Sequence, residues 1–85
     1  MQKIRSIEGL TETVFHKDKP IDIKWSVQWD DRLGAYYVFC FPTPILGVME
    51  REDGSIAMFP VGGNLSMQAA AKRLVAKTLG LPQDD

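Results

Sequence analysis

The sequence predicts an α+β fold, an antiparallel meander of three to five strands with one C-terminal helix packed on one face. Two patterns carry that expectation. From Ile21 to Trp29, apolar and polar residues alternate without a break, the period of a strand with one buried and one wet face. From Met67 onwards, Met67, Ala70, Ala71, Leu74, Val75 and Thr78 recur at helical spacing instead, the stripe of a helix laid on a core. With 85 residues there is room for one such core, so residues 1–85 are expected to form a single domain.

Residues 1–10 are the least determined. Ile4, Ile7 and Leu10 suggest a helical turn, and an irregular lead-in fits equally. Thr11-Glu12-Thr13-Val14-Phe15 favours an extended strand near 11–16, pairing with 21–29 across Lys17-Asp18-Lys19-Pro20. Ile21, Ile23, Trp25, Val27 and Trp29 form the inward face of that second strand. Asp30-Asp31-Arg32-Leu33-Gly34 is a turn that ends on a glycine, suited to a positive φ. Tyr36-Tyr37-Val38-Phe39-Cys40-Phe41 is β-branched and aromatic throughout. A strand over 35–41, central and covered on both faces, is expected from it.

Pro42 and Pro44 end that strand, because proline cannot donate to a ladder. Strands near 45–51 and 55–60 then flank Glu52-Asp53-Gly54-Ser55, where Asp-Gly suits a type I′ turn. That turn would set Val48 against Phe59 and Met49 against Met58, with Glu50 and Arg51 opposite Ala57 and Ile56. Gly62-Gly63 releases the chain from the sheet. Ser66 is read as the N-cap of a helix over 67–79, closed by Gly80 and Pro82, with 83–85 a frayed tail. The expected core is Ile23, Trp25, Val27, Val38, Cys40, Phe59, Ala71, Leu74 and Val75.

Composition narrows the chemistry. Cys40 is the only cysteine and His16 the only histidine. An internal disulfide is therefore excluded, and a four-ligand zinc site lacks its donors. No cofactor is implied. Ten basic and eleven acidic residues leave a net charge of −1, which is not the footprint of a nucleic-acid binder. The N-terminus has no apolar run of signal-peptide length, and no segment approaches a membrane span. A cytoplasmic protein is expected, with which the lone thiol agrees.

Candidate sites reduce mostly to structural roles. Cys40 and His16 could act as nucleophile and base only within hydrogen-bond reach and in an electropositive setting; Cys40 lies instead in the most apolar strand. Asp30-Asp31 and the group Glu50, Glu52 and Asp53 offer paired carboxylates, but neighbours in a strand point to opposite faces. Gly62-Gly63-Asn64 precedes a helix without the residues of either phosphate-binding fingerprint. Trp25, Trp29, Tyr37, Phe39 and Phe41 could form a base-stacking platform, yet the aromatic strands carry only Lys24 between them, and such platforms need interleaved cations. Lys72, Arg73 and Lys77 read as a solvated face in the helix half where the dipole favours cations.

From Trp29 onwards the chain resembles the small β-β-β-α domain of HicB-type antitoxins. The resemblance rests on Asp30-Asp31, Gly34, Tyr36-Tyr37-Val38, Phe41-Pro42, Pro44, Gly47, Ser66 and Ala70. An added hairpin from Val48 to Phe59 departs from that pattern. The strand order followed by an alanine-rich helix is also similar to the double-stranded-RNA-binding fold. Met67 and Gln68 stand where that family carries a phosphate-gripping lysine pair, so the resemblance implies architecture and not RNA binding.

What remains is a non-enzymatic protein-binding module, a small accessory or inhibitory protein of antitoxin-like or phage-inhibitor-like character. The partner surface is expected on residues 45–58. Ile45, Leu46, Met49, Ile56 and Met58 are more apolar there than a wet meander needs, and Arg51 would rim the patch. A homodimer or a hetero-complex would use it. The alternative is nucleic-acid binding through the aromatic sheet face or Lys72, Arg73 and Lys77.

Overall fold

The computed structural model describes residues 6–40 and 42–79. Five strands, β1 (Ser6–His16), β2 (Lys19–Asp30), β3 (Ala35–Cys40), β4 (Thr43–Glu50) and β5 (Ile56–Pro60), precede one helix, α1 (Leu65–Leu79). The strands form a single sheet in the order β1-β2-β3-β4-β5, every neighbour antiparallel. The α+β meander with one helix on it is thus the architecture of the chain. The expected features at Phe41, Gly80, Pro82 and 83–85, and part of the 1–10 lead-in, lie outside the described residues.

β1 begins at Ser6, inside the stretch expected to be a lead-in. Ile7 pairs with Val27 and Leu10 with Trp25, so β1 spends one residue more than β2 there. Such a β-bulge keeps both apolar residues on one face; Gly9, at φ +71°, sits in it. The hairpin at the other end is tighter than expected. His16 pairs with Lys19, leaving Lys17 and Asp18 alone in the loop at φ 49° and 62°. Two central residues in the left-handed region define a type I′ turn, so Lys19 and Pro20 belong to β2.

β2 takes the expected register, with Trp25 and Val27 buried and Lys24 exposed, but Ile21, expected on the inward face, is exposed where β2 nears its turn with β1. Asp30 closes the next turn, its Oδ1 accepting the amides of Arg32 (2.9 Å) and Leu33 (3.4 Å). Between β3 and β4 the pairing steps from Val38–Leu46 to Phe39–Pro44. Pro44 therefore lies within a strand, and Ile45 is the bulged residue. The extra residue lets Ile45 and Leu46 both turn inwards, each fully buried.

The β4–β5 hairpin corrects the expected pairing by one residue. Glu50 pairs with Ile56, Met49 with Ala57, Val48 with Met58 and Gly47 with Phe59. The loop spans Arg51–Ser55, held by Gly54 N–H to Arg51 O (2.9 Å) and Arg51 N–H to Ser55 O (2.7 Å). Gly54 alone in it has a positive φ, 86°, so this is a type I turn followed by a glycine bulge. An odd loop inverts the faces of everything downstream relative to a two-residue turn. Met58 and Ile56 consequently pack towards the core, while Met49 and Phe59 face the other way.

The helix starts two residues earlier than expected, and its cap is Asn64 in place of Ser66. Asn64 Oδ1 accepts the Met67 amide at 2.9 Å, and Asn64 O accepts that of Gln68 at 3.0 Å. Ala70, Ala71, Leu74 and Val75 form its buried stripe. They meet Trp25, Val27, Tyr36, Val38, Ile45, Leu46 and Val48 in one cluster, with Ile23 and Cys40 half-buried beside it. Tyr36, absent from the expected core, is fully enclosed, its ring edge-on to Trp29 at 4.8 Å.

Candidate functional site

Strand alternation sorts the side chains of the sheet into two sets. The set facing α1 makes the core. The opposite set has no described element over it, contrary to the expectation that β3 is covered on both sides. Its centre is aromatic. Tyr37 pairs with Gly47 and Gly47 with Phe59, so three consecutive strands place these residues in one row. Phe59 turns its ring across Gly47, where an added Cβ would fall 2.2 Å from the ring. The ring then meets Tyr37 edge to face, with centroids 6.3 Å apart. Phe39 lies one step along β3 on the same face. All three aromatics are half-buried.

Around this row the face is polar. Ser26 pairs with Phe39 and Gln28 with Tyr37, and Thr11, Thr13, Asp22 and Lys24 continue it across β1 and β2. A cleft of about 340 Å³ opens beside the β2–β3 turn, lined by Gln28, Trp29, Asp30, Asp31, Arg32, Tyr37 and Phe39. The Trp29 indole N–H donates to Asp31 Oδ1 at its margin. A second cleft of about 330 Å³ lies at the β1 bulge, bounded by Glu8, Gly9, Lys24, Trp25, Ser26 and Gln28. Gln28 borders both.

The residues expected to bind a partner are not assembled as one patch. Ile45 and Leu46 are fully buried, Ile56 and Met58 lean on the core, and Met49 lies on the aromatic face. Arg51 is in the exposed loop, its Nη1 donating to Ser55 Oγ at 3.1 Å. Ser55 in turn donates from Oγ and N to Asp53 Oδ1 (2.6 and 2.9 Å), which holds the Asp53 carboxyl below its ordinary pKa.

The helix cations are not a uniformly solvated face either. Lys72 and Lys77 are exposed and Arg73 is half-buried, yet Lys77 Nζ donates to Glu12 Oε1 at 2.9 Å and Arg73 Nε to Glu12 Oε2 at 3.4 Å. The Glu12 side chain is only 8% exposed. Burial pushes its pKa up, but hydrogen bonds from Lys77 and Arg73, the charge of Lys77 and the Thr13 amide outweigh that and leave it below the ordinary glutamate value. Sequence reading missed Glu12. Its signal was parity: Leu10, Glu12 and Val14 share the inward side of β1, and a carboxylate there needs a cation from the element above.

Of the other candidates, Cys40 ends β3 half-buried, while His16 is exposed at the β1–β2 turn. Among the described residues no group of His, Cys, Asp and Glu is arranged to hold a metal ion, and no helix is long and apolar enough to cross a membrane. Compared with models of protein families, with curated proteins and with solved structures, the chain matches none.

Proposed function

We propose that this chain is a non-enzymatic protein-binding module of the cytoplasm, a small accessory or inhibitory protein that occupies a surface of a larger partner. One observation carries the reading: the sheet face opposite α1 presents Tyr37, Phe39 and Phe59 half-exposed in a polar surround. An aromatic centre within a polar rim is the composition of a protein contact patch. The residues of the β4–β5 hairpin that share this face, Met49 and Ala57, extend it.

The test is affinity capture from the native host by the wild-type chain and by a Tyr37→Ser, Phe39→Ser variant, followed by mass spectrometry. A partner recovered by the first and lost by the folded second supports the proposal. Recovery of nothing but the bait, or equal recovery by both, sinks it. For the nucleic-acid reading, Arg73 and Lys77 are engaged by Glu12, which leaves Lys72 alone of the three helix cations outside that contact. Fluorescence anisotropy with RNA and DNA at low salt decides that case directly.

A further inference from the structure

Among the described residues β1 is one of the two outer strands of the sheet, and its outward backbone groups are a ready template for a further strand. The type I′ turn fixes which groups those are. His16 and Lys19 exchange both backbone hydrogen bonds across such a turn, and bonded pairs then recur at every second residue. Val14–Ile21 and Glu12–Ile23 point their amides and carbonyls inwards, so Thr11, Thr13 and Phe15 point theirs out to the free edge.

Thr13, the middle one of the three, is not open. Its N–H donates to Glu12 Oε2 at 3.2 Å, and its carbonyl accepts from Arg73 Nη2 at 2.9 Å. Arg73 also donates from Nε to the same Glu12 oxygen, and Lys77 holds the other one. The carboxylate and the guanidinium together satisfy both edge groups of Thr13, the central pair that an incoming strand would need.

The edge they close suits a second copy of this chain. Two β1 strands laid antiparallel about a two-fold axis at Thr13 would set Thr13 against Thr13, Thr11 against Phe15, Glu12 against Val14 and Leu10 against His16. No like charges stand directly opposite one another in that register, and Thr13 and the Thr11–Phe15 pairs oppose β-forming residues. Thr13 would exchange both backbone bonds with its own symmetry mate, the isologous contact of a two-fold dimer. We propose that Glu12 and Arg73 act as a guard on the β1 edge, and that opening this guard lets two copies of the chain join their sheets through Thr13.

Arg73→Ala and Glu12→Gln, each in the full chain, test it by light scattering at matched high micromolar concentration, with circular dichroism to confirm the fold. The expected result is a mass about twofold that of the wild type, the step of a two-fold pair. Adding Thr13→Pro should return the mass to the wild-type value, since proline deletes the amide on which the pairing centres. A folded Arg73→Ala protein that keeps the wild-type mass overturns the proposal, and so does association that survives Thr13→Pro. Should the variants not fold, hydrogen exchange on the wild type still decides. The Thr13 amide should exchange about tenfold or more slowly than those of Thr11 and Phe15, and equal rates at the three positions refute the guard.

Discussion

Gly47→Ala sets two expectations against each other. Gly47 lies in β4 without a positive φ, so alanine fits the backbone. On conformational grounds alone it would stabilise the strand by about 0.5–1 kcal/mol. The new methyl, however, would sit 2.2 Å from Phe59 Cε2 and 2.3 Å from Cζ, and the ring must leave. Phe59 is half-buried, so eviction forfeits about half of a phenylalanine's burial, about 1 kcal/mol. Loss of the edge contact with Tyr37 adds about 1 kcal/mol. The net effect is destabilisation by about 1–1.5 kcal/mol, a fall in Tm of roughly 4–12 °C for a domain of this size. Urea titration followed by tryptophan fluorescence measures it. In a Phe59→Ala background the ring is gone, and the same substitution should become stabilising by about 0.5 kcal/mol or more. A Gly47→Ala protein more stable than the wild type would refute the placement of Phe59 over Gly47, and with it the aromatic row.

Three further outcomes are expected. Asn64→Ala should cost about 1 kcal/mol in the same titration because it removes the helix cap, whereas Ser66→Ala should stay within about 0.5 kcal/mol. The Glu12 carboxyl is lowered on folding, so its contribution is complete above the unfolded glutamate pKa of about 4.3 and is lost as pH falls through the lower folded value; Glu12→Gln should flatten that acid limb of a stability–pH curve. Tyr37→Ser with Phe39→Ser should leave the far-ultraviolet circular dichroism spectrum unchanged while abolishing partner capture, and retention of the partner would place the contact elsewhere.

The parts of the fold that were legible in the sequence are those where period and burial agree. Ile23 to Trp29 alternates because one side of β2 meets the core and the other meets water, and Ala70 to Val75 repeats at helical spacing for the same reason; Ile21 keeps the period but is exposed. The parts that were not legible are the changes of phase. Nothing in Ile45-Leu46 declares that both turn inwards, since that depends on a one-residue step against β3. The Arg51–Ser55 loop could close with two or with more residues, and parity decides whether Phe59 joins the core or the open face. Asp-Gly favoured one answer; the hydrogen bonds of Ser55 and Gly54 settle on the other. The candidate site inherits this. Tyr37 and Phe39 were visible as aromatics of a strand, but their grouping with Phe59 and Met49 follows only from the true register. Glu12 was hidden by its ordinary threonine neighbours, because its partners lie some sixty residues away on the helix.

That distance has a kinetic meaning. Every strand pairs with the one next to it in the chain, so the sheet assembles by closing short loops at little entropic expense. The helix-to-β1 contact is the exception, joining the two ends of the described chain through Arg73, Lys77 and Glu12. Hairpin substitutions such as Gly54→Val should therefore slow folding, while removal of the Glu12 bridge should chiefly speed unfolding. On that expectation the ion pair would close late and open early, weighing on the lifetime of the finished molecule more than on the speed of its formation.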